Sequence, residues 1–325
     1  KGYIAAENAP DVYHGVRVGN ECSNTAFSKS AGEFLCDLAE IEKKIVAVTA
    51  AMPAGTGLLE FSKKYPERFF DVGICEQHAV TFCAGLSDEG LAPYFCVYST
   101  FLQRGFDQIV TDVCLNKLPV TFLVDRGGLV GADGKTHHGI FDLSIISCIP
   151  NLTILSPCDL SELKQMIEFS VNFNGPLVIR YGNDYYGEFL KSGKFILGKW
   201  WYLHKAEACK NVIIASGNRM SNLALDVSKN LKNKKDIDIN VLCVNSIIPL
   251  DTKALDEIAN CKIAVVEDNI KNGGLSSLIL NYFNQFKISA NLKVFALSDF
   301  VTQGSISDLL KSCKIDIETI SKYFF

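Results

Sequence analysis

The sequence predicts an α/β protein of two doubly wound domains, and three observations carry that reading. Short apolar runs alternate with amphipathic segments; the alternation occurs in two blocks, separated by a polar link at 181–198; and 325 residues, 48% of them hydrophobic, supply apolar surface for two cores. Strands covered by helices on both faces need no polar alternation, so continuous apolar runs between amphipathic helices point to buried parallel sheets.

The elements of the first block follow in order. A helix at 27–39 precedes an apolar strand at 45–49 and a second helix at 58–65. A short strand-like segment then leads into a helix that begins at Glu76, because Glu76, Val80, Cys83 and Ala84 recur at helical spacing. A strand at 94–98, a helix at 101–116, strands at 120–124 and 153–155, a helix at 160–173 and a strand at 177–179 complete the block. The second block repeats the alternation, with strands at 212–215, 239–244, 263–266 and 293–297 and helices between them and at 306–312.

Composition excludes several classes. The net charge is only -4 and the basic residues are scattered, so no nucleic-acid footprint is expected; the cluster at 229–235, interleaved with Asn and followed by Asp236 and Asp238, reads as a solvated helix end. No apolar run approaches the roughly 20 residues a membrane span requires, and the chain is expected to be soluble. Twelve dispersed cysteines without a C-x-x-C pair read as small buried hydrophobes of a reducing compartment, and the five histidines lack zinc-site spacing, so no protein-built metal site is expected. Neither block contains a G-x-G-x-x-G or G-x-x-x-x-G-K-[ST] loop.

Four polar constellations fall at or beyond the carboxyl ends of first-block strands, where open α/β sheets bind ligands. They are Glu76-Gln77-His78; Tyr98 to Arg104; the glycine-rich run from Asp125-Arg126 through Asp133 and His137-His138 to Gly139; and Arg180-Tyr181. Each has a plainer alternative. A Glu at a helix start is favoured by the helix dipole, Tyr98 and Phe101 could be core aromatics, and Arg126 and Arg180 could be surface cations. Against this, two arginines directly after apolar strands suit a phosphate or carboxylate, and a mere connector has no need of Asp, Thr and two His within six residues.

The order and spacing of Thr49-Ala50-Ala51-Met52-Pro53, of Asp71-Val72-Gly73-Ile74-Cys75-Glu76-Gln77-His78-Ala79, and of the later motifs resemble the 1-deoxy-D-xylulose-5-phosphate synthase family of transketolase-like thiamine diphosphate enzymes. The likeness covers nearly all of 1–181 and extends more loosely to the end through Asn245 to Pro249, Glu267 and Gly273-Gly274. It implies a tail of a preceding diphosphate-binding domain and linker at 1–26, a pyrimidine-binding domain at 27–190 and a transketolase-type C-terminal domain at 199–325. The preceding domain, expected to carry the magnesium ligands, is absent from this sequence, so the chain is expected to be an inactive fragment alone and a homodimer when complete.

The resemblance also implies chemistry: pyruvate and D-glyceraldehyde 3-phosphate condense to 1-deoxy-D-xylulose 5-phosphate with loss of carbon dioxide, feeding isoprenoid, terpenoid and thiamine biosynthesis. Glu76 matches the residue that hydrogen-bonds the cofactor's aminopyrimidine nitrogen, Phe101 the ring that stacks on it, and Tyr3 a further cofactor contact. Tyr98, Arg126 and Arg180 match holders of the acceptor's phosphate, with Arg104 another substrate contact; Asp133 and His137 match groups that bind acceptor hydroxyls and manage protons, and His14 a proton-handling histidine. One departure stands out: the family usually continues Arg-Tyr with Pro-Arg-Gly, whereas here Gly182-Asn183-Asp184 follows, so a second cation is lost. No catalytic residue is expected in the second domain. The Asn, Lys and Ile richness near 230–240 suggests an AT-rich genome, and an apicoplast-like plastid if the source is eukaryotic, the cytoplasm otherwise. The competing readings are a 2-oxoacid dehydrogenase beta subunit, transketolase itself, and a non-catalytic dimerising α/β module.

Overall fold

The computed structural model describes residues 2–8, 26–189 and 193–325. In chain order its strands are β1 Ile45–Thr49, β2 Phe69–Asp71, β3 Ala92–Tyr98, β4 Thr121–Asp125, β5 Thr153–Leu155, β6 Leu177–Arg180, β7 Trp201–His204, β8 Asn211–Ser216, β9 Asn240–Val244, β10 Ser246–Ile248, β11 Lys262–Ile270 and β12 Asn291–Leu297. Among the described residues they form a seven-stranded sheet in the order β10-β5-β6-β4-β3-β1-β2 and a five-stranded sheet in the order β12-β11-β8-β9-β7. All pairings are parallel except β10 with β5 and β7 with β9. The strand at β10 belongs to the second block in sequence yet completes the first block's sheet.

Strand geometry sorts the core. Ile45 and Ala47 point to the face covered by helices Ala26–Ile41 and Leu160–Ser170, while Val46 and Val48 point to the opposite face, covered by helix Glu76–Asp88. That second face is continuous with one face of the five-stranded sheet, because Ile214, Leu242, Val244 and Val265 share its cluster with Phe95, Phe122 and Val178. The other face of the five-stranded sheet packs on helix Gly217–Lys235 through Met220, Ala224, Val227 and Leu231.

The expected continuous helix at 101–116 is instead a chain of short turns: helix Ser99–Leu102, a 3₁₀ turn Gln103–Gly105, helix Phe106–Gln108 and a π turn Ile109–Cys114. The break falls where Gly105 lies against the helix of Glu76, since a Cβ there would stand 2.8 Å from Val80 Cγ2 and 3.4 Å from the Glu76 carbonyl oxygen. Close approach to that helix replaces regular geometry.

Candidate active site

Sheet register assembles the site. Tyr98 at the end of β3 is the partner of Asp125 at the end of β4, and Val124 is the partner of Arg180 at the end of β6. Three neighbouring strands thus deliver Tyr98, Arg126 and Arg180 to one carboxyl edge of a parallel sheet.

Glu76 is the first residue of helix Glu76–Asp88 and is 2% exposed. Ala79, Val80 and Cys83 behind it are fully buried, so the helix start that carries it is fixed by packing. Its Oε2 lies 3.0 Å from Arg104 Nε, an ion-pair contact without hydrogen-bond alignment, and is a buried oxygen with no hydrogen-bond partner among the described residues. Native structures rarely leave such an atom unsatisfied, and at a ligand-binding edge it marks a position for a ligand's hydrogen-bonding nitrogen. Arg104, expected among the acceptor contacts, is brought to Glu76.

Beside it the aromatic groups form a stack. The Tyr98 and Phe101 rings lie 5.9 Å apart at 20°, and His137 meets Phe101 edge-on at 5.6 Å. The Arg126 guanidinium covers the other aromatic partner, 3.7 Å from the Tyr98 ring centre. Burial raises the Tyr98 phenol above its ordinary value; Arg126 opposes this, and the carboxylates of Asp125 and Asp133 add to it. Gly55 makes room, because a Cβ there would stand 1.6 Å from the tyrosine hydroxyl.

Arg126 adopts φ +60°, a left-handed conformation unusual for a side chain of this size. Its N–H donates to Asp125 Oδ1 at 2.7 Å, and its Nη1 donates to Asp125 Oδ2 and the Gly55 carbonyl, each at 3.2 Å. Asp125 is fully buried and accepts from Ser28 Oγ at 2.5 Å; burial raises its pKa, with Arg126 and Ser28 pulling it down. Arg180, also buried, donates through Nε to Asp142 Oδ2 at 2.6 Å, and Asp142 Oδ1 accepts from Asn269 Nδ2 at 3.1 Å. Burial works against the Arg180 charge, but Asp142 and Asp268 overcome it and its pKa lies above the usual value.

The loop from Gly128 to Gly139 closes on itself through reciprocal backbone hydrogen bonds of 2.7 and 2.8 Å. His137, half-buried, has Nδ1 2.9 Å from Thr136 Oγ1, and Asp133 is exposed. His138 is structural: its Nδ1 accepts from the Val130 N–H at 3.1 Å, so Nε2 donates to the Thr302 carbonyl at 3.0 Å in the second domain. Tyr3 precedes helix Ile4–Asn8 and is 59% exposed, His78 is exposed and stacks on Phe82, and His14 lies outside the described residues.

The sequence reading missed the second domain's contribution. Asp268 and Asn269 on β11 and Arg219 at the start of helix Gly217–Lys235 are buried and reach the ligand loops, Arg219 donating to Asp184, Asp268 and the Leu129 carbonyl. Polar residues at a strand end were their only signal, since their partners lie tens of residues away. Among the described residues, no group of three or more His, Cys, Asp or Glu is arranged to hold a metal ion, and no helix is long and apolar enough to cross a membrane.

The comparisons agree with this architecture. Residues 23–187 match the family model "Transketolase, pyrimidine binding domain", and residues 202–320 match "Transketolase, C-terminal domain". The 1-deoxy-D-xylulose-5-phosphate synthase of Clostridium perfringens (strain 13) is 43% identical over 98% of this chain and 53% of its own length, and that of Clostridium acetobutylicum is 43% identical over 99% and 54%. The chain therefore spans about half the length of the curated relatives it matches. Among solved structures, a split-gene transketolase described as an inactive beta4 tetramer superposes with a TM-score of 0.82 at 26% identity, covering 92% of this chain and 97% of that one. Transketolase of Campylobacter jejuni shares the fold with a TM-score of 0.75 at 18% identity, over 99% of this chain and 50% of its own. The chain belongs to the transketolase family, as a pyrimidine-binding domain followed by a C-terminal domain, and over nearly its whole length it is similar to the 1-deoxy-D-xylulose-5-phosphate synthases of that family.

Proposed function

We propose that the protein of which this chain is part condenses pyruvate with D-glyceraldehyde 3-phosphate to 1-deoxy-D-xylulose 5-phosphate and carbon dioxide, the first step of non-mevalonate isoprenoid precursor synthesis. The observation that carries the reading is Glu76, a carboxylate 2% exposed at a helix start, with one oxygen lacking a hydrogen-bond partner among the described residues and an aromatic stack nearby. That orphaned oxygen fits the aminopyrimidine of thiamine diphosphate. When bound, this cofactor supplies the nucleophilic carbon at which pyruvate loses carbon dioxide and from which the remaining two-carbon unit passes to an aldehyde.

The chain's own residues have separable tasks. Glu76 would hold a hydrogen bond to the pyrimidine ring from a dry helix start, with the Arg104 guanidinium 3.0 Å away as its ion-pair partner. Phe101 offers the pyrimidine a flat apolar face. Arg126, already seated on Tyr98, and Arg180 suit the acceptor's phosphate, whose dianion two guanidiniums recognise better than lysines would. His137 and Asp133 border the same loop and suit the acceptor's hydroxyls. The diphosphate and Mg²⁺ are assigned to the half of the relatives' length that this chain does not match, and a second copy is expected to complete a homodimer.

A 2-oxoacid dehydrogenase beta subunit has no phosphorylated acceptor to account for a tyrosine and two arginines gathered at one sheet edge, and their gathering there supports the phosphorylated acceptor. The test is to incubate the full-length protein with thiamine diphosphate, Mg²⁺, pyruvate and D-glyceraldehyde 3-phosphate and analyse the products. Equimolar carbon dioxide and a five-carbon deoxyketose phosphate are expected; turnover of a ketose phosphate donor without carbon dioxide would instead identify a transketolase. In the same assay, Arg126→Ala should raise the acceptor's KM about tenfold or more while leaving that of pyruvate within about twofold, as loss of a charged hydrogen bond predicts. Equal effects on both substrates contradict the phosphate assignment.

A further inference from the structure

Leu129 and Val130 open the glycine-rich loop, are buried, and belong to no helix or strand, so their backbone groups must be satisfied by other means. Side chains do it. The Leu129 carbonyl accepts from Arg219 Nη2 at 2.8 Å, the Leu129 N–H donates to Asp268 Oδ2 at 3.4 Å, the Val130 N–H donates to His138 Nδ1 at 3.1 Å, and the Val130 carbonyl accepts from Asn183 Nδ2 at 3.3 Å.

Arg219 connects three of these four contacts. Besides the Leu129 carbonyl it donates to Asn183 Oδ1 at 2.9 Å, to both Asp184 oxygens at 2.9 and 2.8 Å through Nε, and to Asp268 Oδ2 at 2.5 Å. Gly128 permits the approach, because a Cβ there would stand 2.1 Å from Asp268 Oδ2. The side chains at Asn183 and Asp184, where the resemblance implied a lost cation, are therefore Arg219's own partners. A cation is still present beside the loop, carried on the second domain and turned toward the loop's backbone. Removing it would leave the buried Asp268 and the part-buried Asp184 without the cation they share, and a carbonyl without a donor.

We propose that Arg219 is a positioning residue for the acceptor end of the site: by fixing Leu129 and Val130 it holds the loop that runs from Arg126 to His137, and so sets the affinity for the phosphorylated acceptor from the C-terminal domain. The inference rests on the condensation reading above. Two variants of the full-length protein test it. Arg219→Lys keeps the charge but loses the planar fork, and Asp184→Asn keeps Arg219 paired with Asp268, so that a failure of one to fold leaves the other. Each is expected to raise the acceptor's KM about fivefold to tenfold, leave pyruvate's KM within about twofold, and speed amide hydrogen exchange in 128–139. If both folded variants keep the wild-type acceptor KM, or raise both KM values together, the inference is wrong. Should the wild-type protein form no deoxyketose phosphate, the condensation reading fails, and exchange alone then decides: unchanged protection of 128–139 in both variants overturns the role of Arg219.

Discussion

Arg126 combines a left-handed backbone with a guanidinium seated on Tyr98, and neither is comfortable without the Asp125 carboxylate and the Gly55 carbonyl beside it. Such a residue is legible in sequence because an arginine directly after an apolar strand has few structural reasons to be there. Glu76 was not legible alone, since the helix dipole favours a Glu at a helix start, and it stood out only with the motifs that follow it. Arg219, Asp142 and Asp268 were not legible, since each acts on a partner from another segment and only folding makes the pair. Glu267 carries a prediction of its own. It accepts from the Leu275 and Ser276 N–H groups at 2.8 and 3.0 Å, capping helix Leu275–Gln285, yet burial outweighs these donors and pushes it from its ordinary 4.5 up to about 7. Because the folded state binds the proton more tightly, the contribution to stability is complete below about pH 4.5 and is lost as the pH rises to about 7. Between pH 5.5 and pH 8 this amounts to ~2 kcal/mol of the fall in stability. Denaturant titrations of wild type and Glu267→Gln at both pH values check it: the variant should lack that part of the fall, and identical slopes contradict the assignment.

The elements were legible wherever the hydrophobic period was regular. β1, β5 and helix Ile306–Ser312 lie where the apolar pattern put them, whereas β7 and β10, antiparallel strands at the sheet edges, did not show in it. The broken helix after β3 was equally hidden, for its irregularity comes from Gly105 meeting a helix about thirty residues earlier in the chain. Glycines explain how the ligand loop closes. A Cβ at Gly139 would stand 2.2 Å from the Arg126 carbonyl oxygen and 2.4 Å from Ser99 Oγ, and the first of these is backbone that cannot swing aside. Gly139→Ala should therefore disturb the loop closure, lower stability by roughly 1–3 kcal/mol and raise the acceptor's KM more than tenfold. Thermal unfolding and steady-state kinetics measure the two effects, and a variant indistinguishable from wild type in both would mean that the loop does not need its observed closure.

At the scale of the molecule the two blocks are less separate than their sequence pattern suggests, because β10 completes the first sheet and one hydrophobic cluster runs through both. The repeated alternation made two domains legible, but not that they share a core. Ile247, fully buried on β10, belongs to that shared cluster, and Ile247→Ala should cost ~2–5 kcal/mol while wild type and variant each unfold in one transition. Tryptophan fluorescence from Trp200 and Trp201 and far-ultraviolet circular dichroism should then coincide along a urea titration; separated curves would indicate independent domains. This shared body lets residues of the second domain frame a site whose chemistry resides on the first. The most direct test of the whole account is carbon dioxide release from pyruvate by the full-length protein with thiamine diphosphate, Mg²⁺ and D-glyceraldehyde 3-phosphate, comparing wild type with Glu76→Gln. The account predicts acceptor-dependent release by wild type and a fall of about 10²-fold or more in the folded variant; wild-type rates from Glu76→Gln would contradict it.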